Sequence, residues 1–396
     1  MDRDYFNSQR VASIDIFRAL TMFLMIFVND FWTIINVPKW MEHAGRNVDF
    51  LGLADVVIPA FLFAVGMSIP LAIETRYAKG DSKLKTLWHI LLRTFALLFM
   101  GTVLANAGSR HHEDALFSRP VFILLTLTGI FLVWNLYPRA KDWKKYLFIA
   151  LQIIGVALLV YLIVIFRDRR DNIMRIHNWA VLYLIGWSYF LGACAYFVAR
   201  RRMILHAITL IALILLSMAG TNKWLGFFDG IIISNGALQA FTMAGIIVSL
   251  ALNRYGSVIG IKKLLAFFAG AGAVYLLAGF VARNFWIISK LQYTPTWVFF
   301  CTGVCLLFYA FTYWLVEMKG KERWFKIIMP AGTATLTCYL VPFWLYPIDD
   351  MWGHFTTSLP NVIRECPVGL IKSLVFCFMV IGITWVLGKL HIKLKV

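Results

Sequence analysis

The chain has 396 residues, 61% of them hydrophobic and only 15% charged, with a mean hydropathy of +0.75. That is far more apolar surface than a soluble core of this size can hide, so the composition excludes a soluble globular domain and points to an integral membrane protein. The formal charge of +18 does not indicate nucleic acid, because Lys and Arg fall in short clusters between apolar runs and build no single basic face.

Taken in order, the apolar runs predict twelve spans, at 14–36, 51–73, 89–106, 119–137, 147–166, 179–199, 203–220, 230–252, 264–284, 297–316, 327–348 and 367–388. Each is near the roughly 20 residues a helix needs to cross the hydrocarbon. The expected fold is an all-α, polytopic membrane helical bundle, with 1–396 read as a single transmembrane domain. Loops on the side of the N-terminus carry 23 Lys and Arg and the opposite loops carry 10. By the positive-inside rule both termini are cytoplasmic.

Two features oppose that topology. The outward loop at 167–175, RDRRDNIMR, holds four Arg and reads either as an anion site or as a solvated patch partly neutralised by Asp168 and Asp171. The Arg200, Arg201, Arg202 turn demands a tight helical hairpin; without it two spans merge and everything downstream changes side. The opening MDRDYFNSQR is too acidic for a signal-peptide n-region, so the first helix is expected to stay.

The six cysteines, at 194, 301, 305, 338, 366 and 377, lie mostly in apolar spans and read as small hydrophobes, with no metal or disulfide expected. His111, His112, Glu113 and Asp114 could bind a metal or a sugar but read first as a solvated loop. Gly66 with Pro70, and Gly270 and Ala273 with Leu277, mark expected close helix approaches.

Chemistry concentrates between Ser13 and Leu71. Arg18 sits at the mouth of the first run, Asn29 near its far end, His43 in the joining loop, and Asp55 at the start of the second run. Polar and ionisable groups at membrane depth are costly and mark pathways or sites. Arg18 and Asn29 are separated along the helix by roughly 16 Å. Each residue also has a plainer reading. Arg18, paired with Asp15, and Arg93 are snorkelling anchors, Asn29 bonds a neighbouring helix, Asp55 caps its own helix, and His43 is solvated.

The order of these residues shifts the balance. The run S-x-D-x-F-R at Ser13, Asp15, Phe17 and Arg18 is followed by Val28 and Asn29, then by Pro38, Trp40, His43 and Ala44. After it comes G-L-A-D-x-x-x-P-x-F-L-F-x-x-G-x-S-I-P from Gly52 to Pro70. This resembles the transmembrane acetyltransferase family typified by heparan-alpha-glucosaminide N-acetyltransferase, and its bacterial members more closely. Fainter likeness continues at Leu92 to Phe95, Ser289 to Trp297 and Ala331 to Tyr339, thinning between about 107 and 285. The sequence departs from the pattern in its longer His43 to Asp55 interval, in the missing Trp after the histidine, and in Ala334 where the family often has Asn. The pair of spans at 179–220 looks added to a ten-helix core.

The resemblance implies an acetyltransferase of the bacterial inner membrane that carries an acetyl group from cytosolic acetyl-CoA to an amino sugar or glycan outside. On that model His43 is the general base, or the carrier of a transient acetyl group. Asn29 donates to the thioester oxygen, and Asp55 orients the imidazole or shapes the pocket. Arg18 and Arg93 hold the phosphates of coenzyme A, and Lys290 contacts an anionic sugar. The bilayer is a partner, metal and nucleic acid are not expected, and pairing as a homodimer stays open. The competing reading is a small-solute transporter or exporter, but the charged residues sit at span ends rather than at the midplane where transporters place theirs.

Overall fold

A segment surrounded by lipid must satisfy its own backbone, and every expected span contains a helix in the computed structural model. It describes residues 11–109, 115–138, 141–177, 179–224, 233–256 and 258–395. The helices are α1 (Ala12–Asn29), α2 (Leu53–Ala78), α3 (Lys83–Ala107), α4 (Arg119–Trp134), α5 (Trp143–Ile165) and α6 (Val181–Ala199). They continue with α7 (Met203–Thr221), α8 (Ala237–Tyr255), α9 (Ile261–Ala282), α10 (Pro295–Tyr313), α11 (Thr335–Met351) and α12 (Val368–Lys389). Among the described residues no β-strand forms, only two isolated bridges. The cluster from His111 to Asp114 lies outside the described residues.

Ten of these helices are long and apolar enough to cross a bilayer, two fewer than the twelve spans expected. α4 has 16 residues and reaches only about 24 Å of the roughly 30 Å of hydrocarbon. The expected span at 327–348 breaks at Ala334 into a short helix, Met329–Thr333, and α11, which carries Pro342 and Pro347. Hydropathy does not register such a break in the backbone.

The chain forms two compact units. The first comprises residues 1–28, 38–94 and 185–329. Here α2 lies tightly against α8: a Cβ on Gly66 would stand 2.0 Å from the Thr242 carbonyl oxygen, and one on Gly245 would stand 2.1 Å from that of Phe63. Gly270, expected at a close approach, faces open space. The α9–α10 crossing uses Gly272 and Gly303 instead, whose added Cβ atoms would each meet the other's carbonyl oxygen at 3.1 and 2.9 Å. Phe17 fills the interior, with ring centroids 5.2 Å from Phe308, 5.6 Å from Tyr309 and 5.9 Å from Phe63.

The tight Arg200 to Arg202 hairpin does form, and its device is a residue the sequence did not single out. Glu74, buried near the end of α2, accepts from Arg201 Nη2 at 2.8 Å and from the Tyr196 hydroxyl at 3.0 Å, with Arg200 at 3.3 Å. Arg200 adopts a left-handed φ of 51° that lets the chain reverse, and its carbonyl accepts from His206 Nε2 at 2.7 Å.

The second unit comprises residues 29–37, 95–184 and 330–396. In its loop at 167–175 Arg167 stands 3.8 Å from Asp171, while Asp168 accepts from Asn172 and the Arg170 amide and Arg175 pairs with Asn172, bonds to neutral groups that order the loop. Asn106 clasps the Arg175 backbone through its amide and its oxygen. Arg169 and Arg170 are exposed.

Candidate active site

The site grows from the first turn of α2. A helix N-terminus presents amide donors with no intrahelical partner and a partial positive charge. The loop before α2 folds back over these donors: Leu53 N–H donates to the Trp40 carbonyl at 2.8 Å and Ala54 N–H to that of Met41 at 3.2 Å. Asp55 Oδ2 accepts from Ala44 N–H at 2.9 Å and Gly52 N–H at 3.3 Å. Gly52 is required by proximity, since a Cβ there would lie 1.8 Å from the Glu42 carbonyl oxygen. Gly52→Ala should therefore displace the loop and lower stability by about 1–3 kcal/mol, measured as the unfolding midpoint in detergent.

The other carboxylate oxygen does something else. Asp55 Oδ1 lies 2.9 Å from His43 Nδ1. A carboxylate only accepts, so this contact is a hydrogen bond when Nδ1 carries the proton, and in a neutral ring that leaves the Nε2 lone pair free. The Asp55 side chain is 2% exposed and that of His43 51%, so a buried anion orients an imidazole whose outer face is open. Capping and orienting, which the sequence offered as alternatives, coexist because each oxygen takes one task.

The backbone of Asp55 is also held. Its carbonyl would normally bond the amide four residues on, but that residue is Pro59. The indole Nε1–H of the fully buried Trp297 donates to it instead at 3.2 Å, and Cys301 Sγ approaches at 3.9 Å.

A second loop, between α9 and α10, closes the site. Arg283 Nε donates to Asp49 at 2.7 Å, Ile288 N–H donates to the same carboxylate at 2.8 Å, and Ser289 and Gln292 both donate to the Arg46 carbonyl. These bonds bring Lys290 to the histidine, with Nζ 3.2 Å from His43 Nδ1 and 3.9 Å from Asp55 Oδ1. Burial pushes the Lys290 ammonium below the ordinary lysine range, against the pull of the Asp55 charge.

The other residues expected in the site have separate surroundings. Arg18 pairs with Asp15 and donates to Ser68 Oγ at 3.4 Å, which puts it about 20 Å along α2 from Asp55. Arg93, in the first half of α3, stacks 4.6 Å over the Tyr189 ring, and its buried Nε has no hydrogen-bond partner among the described residues. Asn29 ends α1 with an exposed side chain.

The next residue, Asp30, is the acidic group that sequence reading missed. It is 1% exposed and accepts from Tyr346 at 2.9 Å and from Ser373, with Lys372 at 3.3 Å. An ionisable residue at a span end was the available signal, but nothing in the sequence tells that the chain turns it inward just past the helix. All six cysteines are free thiols, and among the described residues no three His, Cys, Asp or Glu side chains gather as a metal site.

A family model described as "Domain of unknown function (DUF5009)" matches residues 10–226, more than half of the chain. The chain belongs to this family. The match takes in Arg18, Asn29, His43, Asp55 and Arg93 and stops before Lys290. The chain is also similar to heparan-alpha-glucosaminide N-acetyltransferase of Mus musculus, 35% identical over 104 residues, and of Homo sapiens, 35% identical over 101 residues. These stretches cover 25% and 24% of this chain and 14% of either relative. This DUF5009 member is thus a distant relative of the transmembrane acetyltransferases, and what it shares with the curated relatives is a small part of their length.

Proposed function

We propose that this protein is a membrane-embedded acetyltransferase that moves an acetyl group from acetyl-CoA on the cytosolic side to an amine or hydroxyl of an amino sugar or glycan on the other side. The observation that carries the reading is the pair formed by buried Asp55 and half-exposed His43, a base held in the tautomer that can accept a proton. Acetyl-CoA supplies the activated acyl group, and transfer forms a C–N or C–O bond as the C–S bond breaks.

His43 Nε2 takes the proton from the attacking amine or hydroxyl and returns it to the departing thiolate. Asp55, held by two backbone amides, steadies the imidazolium formed in between. Arg18 and Arg93 would hold the phosphates of the donor, as guanidinium groups do through paired N–H donors. The unpartnered Nε of Arg93 fits that role, while Arg18 would exchange its contact with Asp15 for the anion. Asn29 enters only through the likeness of its motif.

Acetyl-CoA should raise the unfolding midpoint of the detergent-solubilised protein, by an amount equivalent to about 2.7 kcal/mol at a hundredfold excess over its dissociation constant. Arg93→Ala and Arg18→Ala should each weaken acetyl-CoA binding about tenfold or more, the scale of one charge-assisted contact, and so cut this protection by about 1.4 kcal/mol or more at the same concentration. Absence of any shift at saturating concentrations would remove the donor assignment.

A further inference from the structure

Lys290 turns away from solvent. Its side chain is 17% exposed, and its Nζ stands 3.2 Å from His43 Nδ1, the same nitrogen that meets Asp55 at 2.9 Å. Both neighbours cannot be satisfied in the same way by one nitrogen. An ammonium only donates, so it pairs with Nδ1 when that nitrogen is bare; a neutral amine has a lone pair and shares the Nδ1 proton with Asp55.

We propose that Lys290 is a positioning residue that selects which ring nitrogen of His43 carries the proton. As a neutral amine it leaves that proton on Nδ1 and Nε2 free to act as the base. As an ammonium it donates to Nδ1, and the ring proton moves to Nε2, which then has no lone pair to take the proton of the acceptor. This rests on the reading of His43 as the base for acetyl transfer and adds to it an off state set by one proton. The change takes up a single proton, at Lys290. The ring holds one throughout, Nδ1 releasing it to, and Nε2 regaining it from, the water that reaches the half-exposed imidazole.

The surroundings limit what else could govern the switch. Facing Lys290 are His43 and Asp55 from the first loop and α2, and Cys301 from α10. Asp49 and Arg283, on the same two loops, hold each other at 2.7 Å. Because burial lowers the titration of Lys290, acidification charges it only below the ordinary lysine range, and activity is lost as pH falls through that point.

The test uses the intact protein in detergent and two variants, Lys290→Met and Lys290→Arg. Diethyl pyrocarbonate acylates an unprotonated imidazole nitrogen, and mass spectrometry of the peptide bearing His43 follows its rate from about pH 5 to about pH 9, the range that brackets imidazole titration. Lys290→Met should extend fast modification to lower pH than in the wild type, limited only by protonation of the ring itself. Lys290→Arg, which cannot lose its charge, should slow modification about tenfold throughout. Acetyl transfer should follow the same order, in kcat rather than KM.

Identical profiles in all three proteins would overturn the proposal. So would a raised KM for the acceptor with an unmoved pH profile, which would make Lys290 a contact for the sugar. If the reagent profile moves as expected while no acceptor is ever acetylated, the proton switch stands and the proposed activity falls.

Discussion

Replacing His43 with alanine should lower acetyl transfer by about 10²- to 10⁴-fold, the range that a positioned general base contributes. The fold should survive, because the imidazole is half-exposed and its one strong bond is to a carboxylate that two backbone amides also hold. Donor binding should survive too, since Arg18 meets α2 at Ser68, about 20 Å along the helix from the His43 partner. Protection by acetyl-CoA is the control measurement. Loss of that protection in His43→Ala would mean that the histidine shapes the protein rather than the chemistry.

Asp55 offers a second large effect, and its two oxygens separate into two variants. Asp55→Asn keeps an oxygen to accept from the Ala44 and Gly52 amides but turns an NH₂ group toward His43 Nδ1. The imidazole must then present a bare Nδ1 and carry its proton on Nε2, the wrong tautomer for a base. Transfer should fall by about 10³- to 10⁴-fold, with the unfolding midpoint nearly unchanged. Asp55→Ala removes the cap as well, leaving buried donors unmet at about 1–3 kcal/mol each. That variant should lose both activity and stability. Near wild-type transfer in Asp55→Asn would show that Asp55 only caps its helix.

The helices were legible because apolar runs of span length have few other ways to satisfy a backbone in lipid. His43 and Asp55 were each visible as polar groups at span ends. Their pairing was offered only through the resemblance, as one of two roles for Asp55, since the eleven residues between them fix no distance until the chain folds over the α2 N-terminus. Lys290 was read as a sugar contact from its loop. Its approach to His43 depends on bonds from Arg283, Ile288, Ser289 and Gln292 to residues more than two hundred positions earlier, which no local pattern encodes.

Glu74 was passed over for a similar reason. Alone it is one acid near the end of a span; its meaning appears only when Arg200, Arg201 and Tyr196 converge on it. The reading of 327–348 as one unbroken span had a different origin. Hydropathy averages over a window, and the break at Ala334 is a backbone event that leaves the average untouched.

Acetyl transfer through His43 is measured most directly by reconstituting the protein in lipid vesicles with acetyl-labelled CoA on one face and amino sugars on the other. Labelled acetyl should appear on a sugar with the wild-type protein and not with His43→Ala. Sugar crossing the bilayer while the labelled donor stays intact would contradict it and make the protein a transporter.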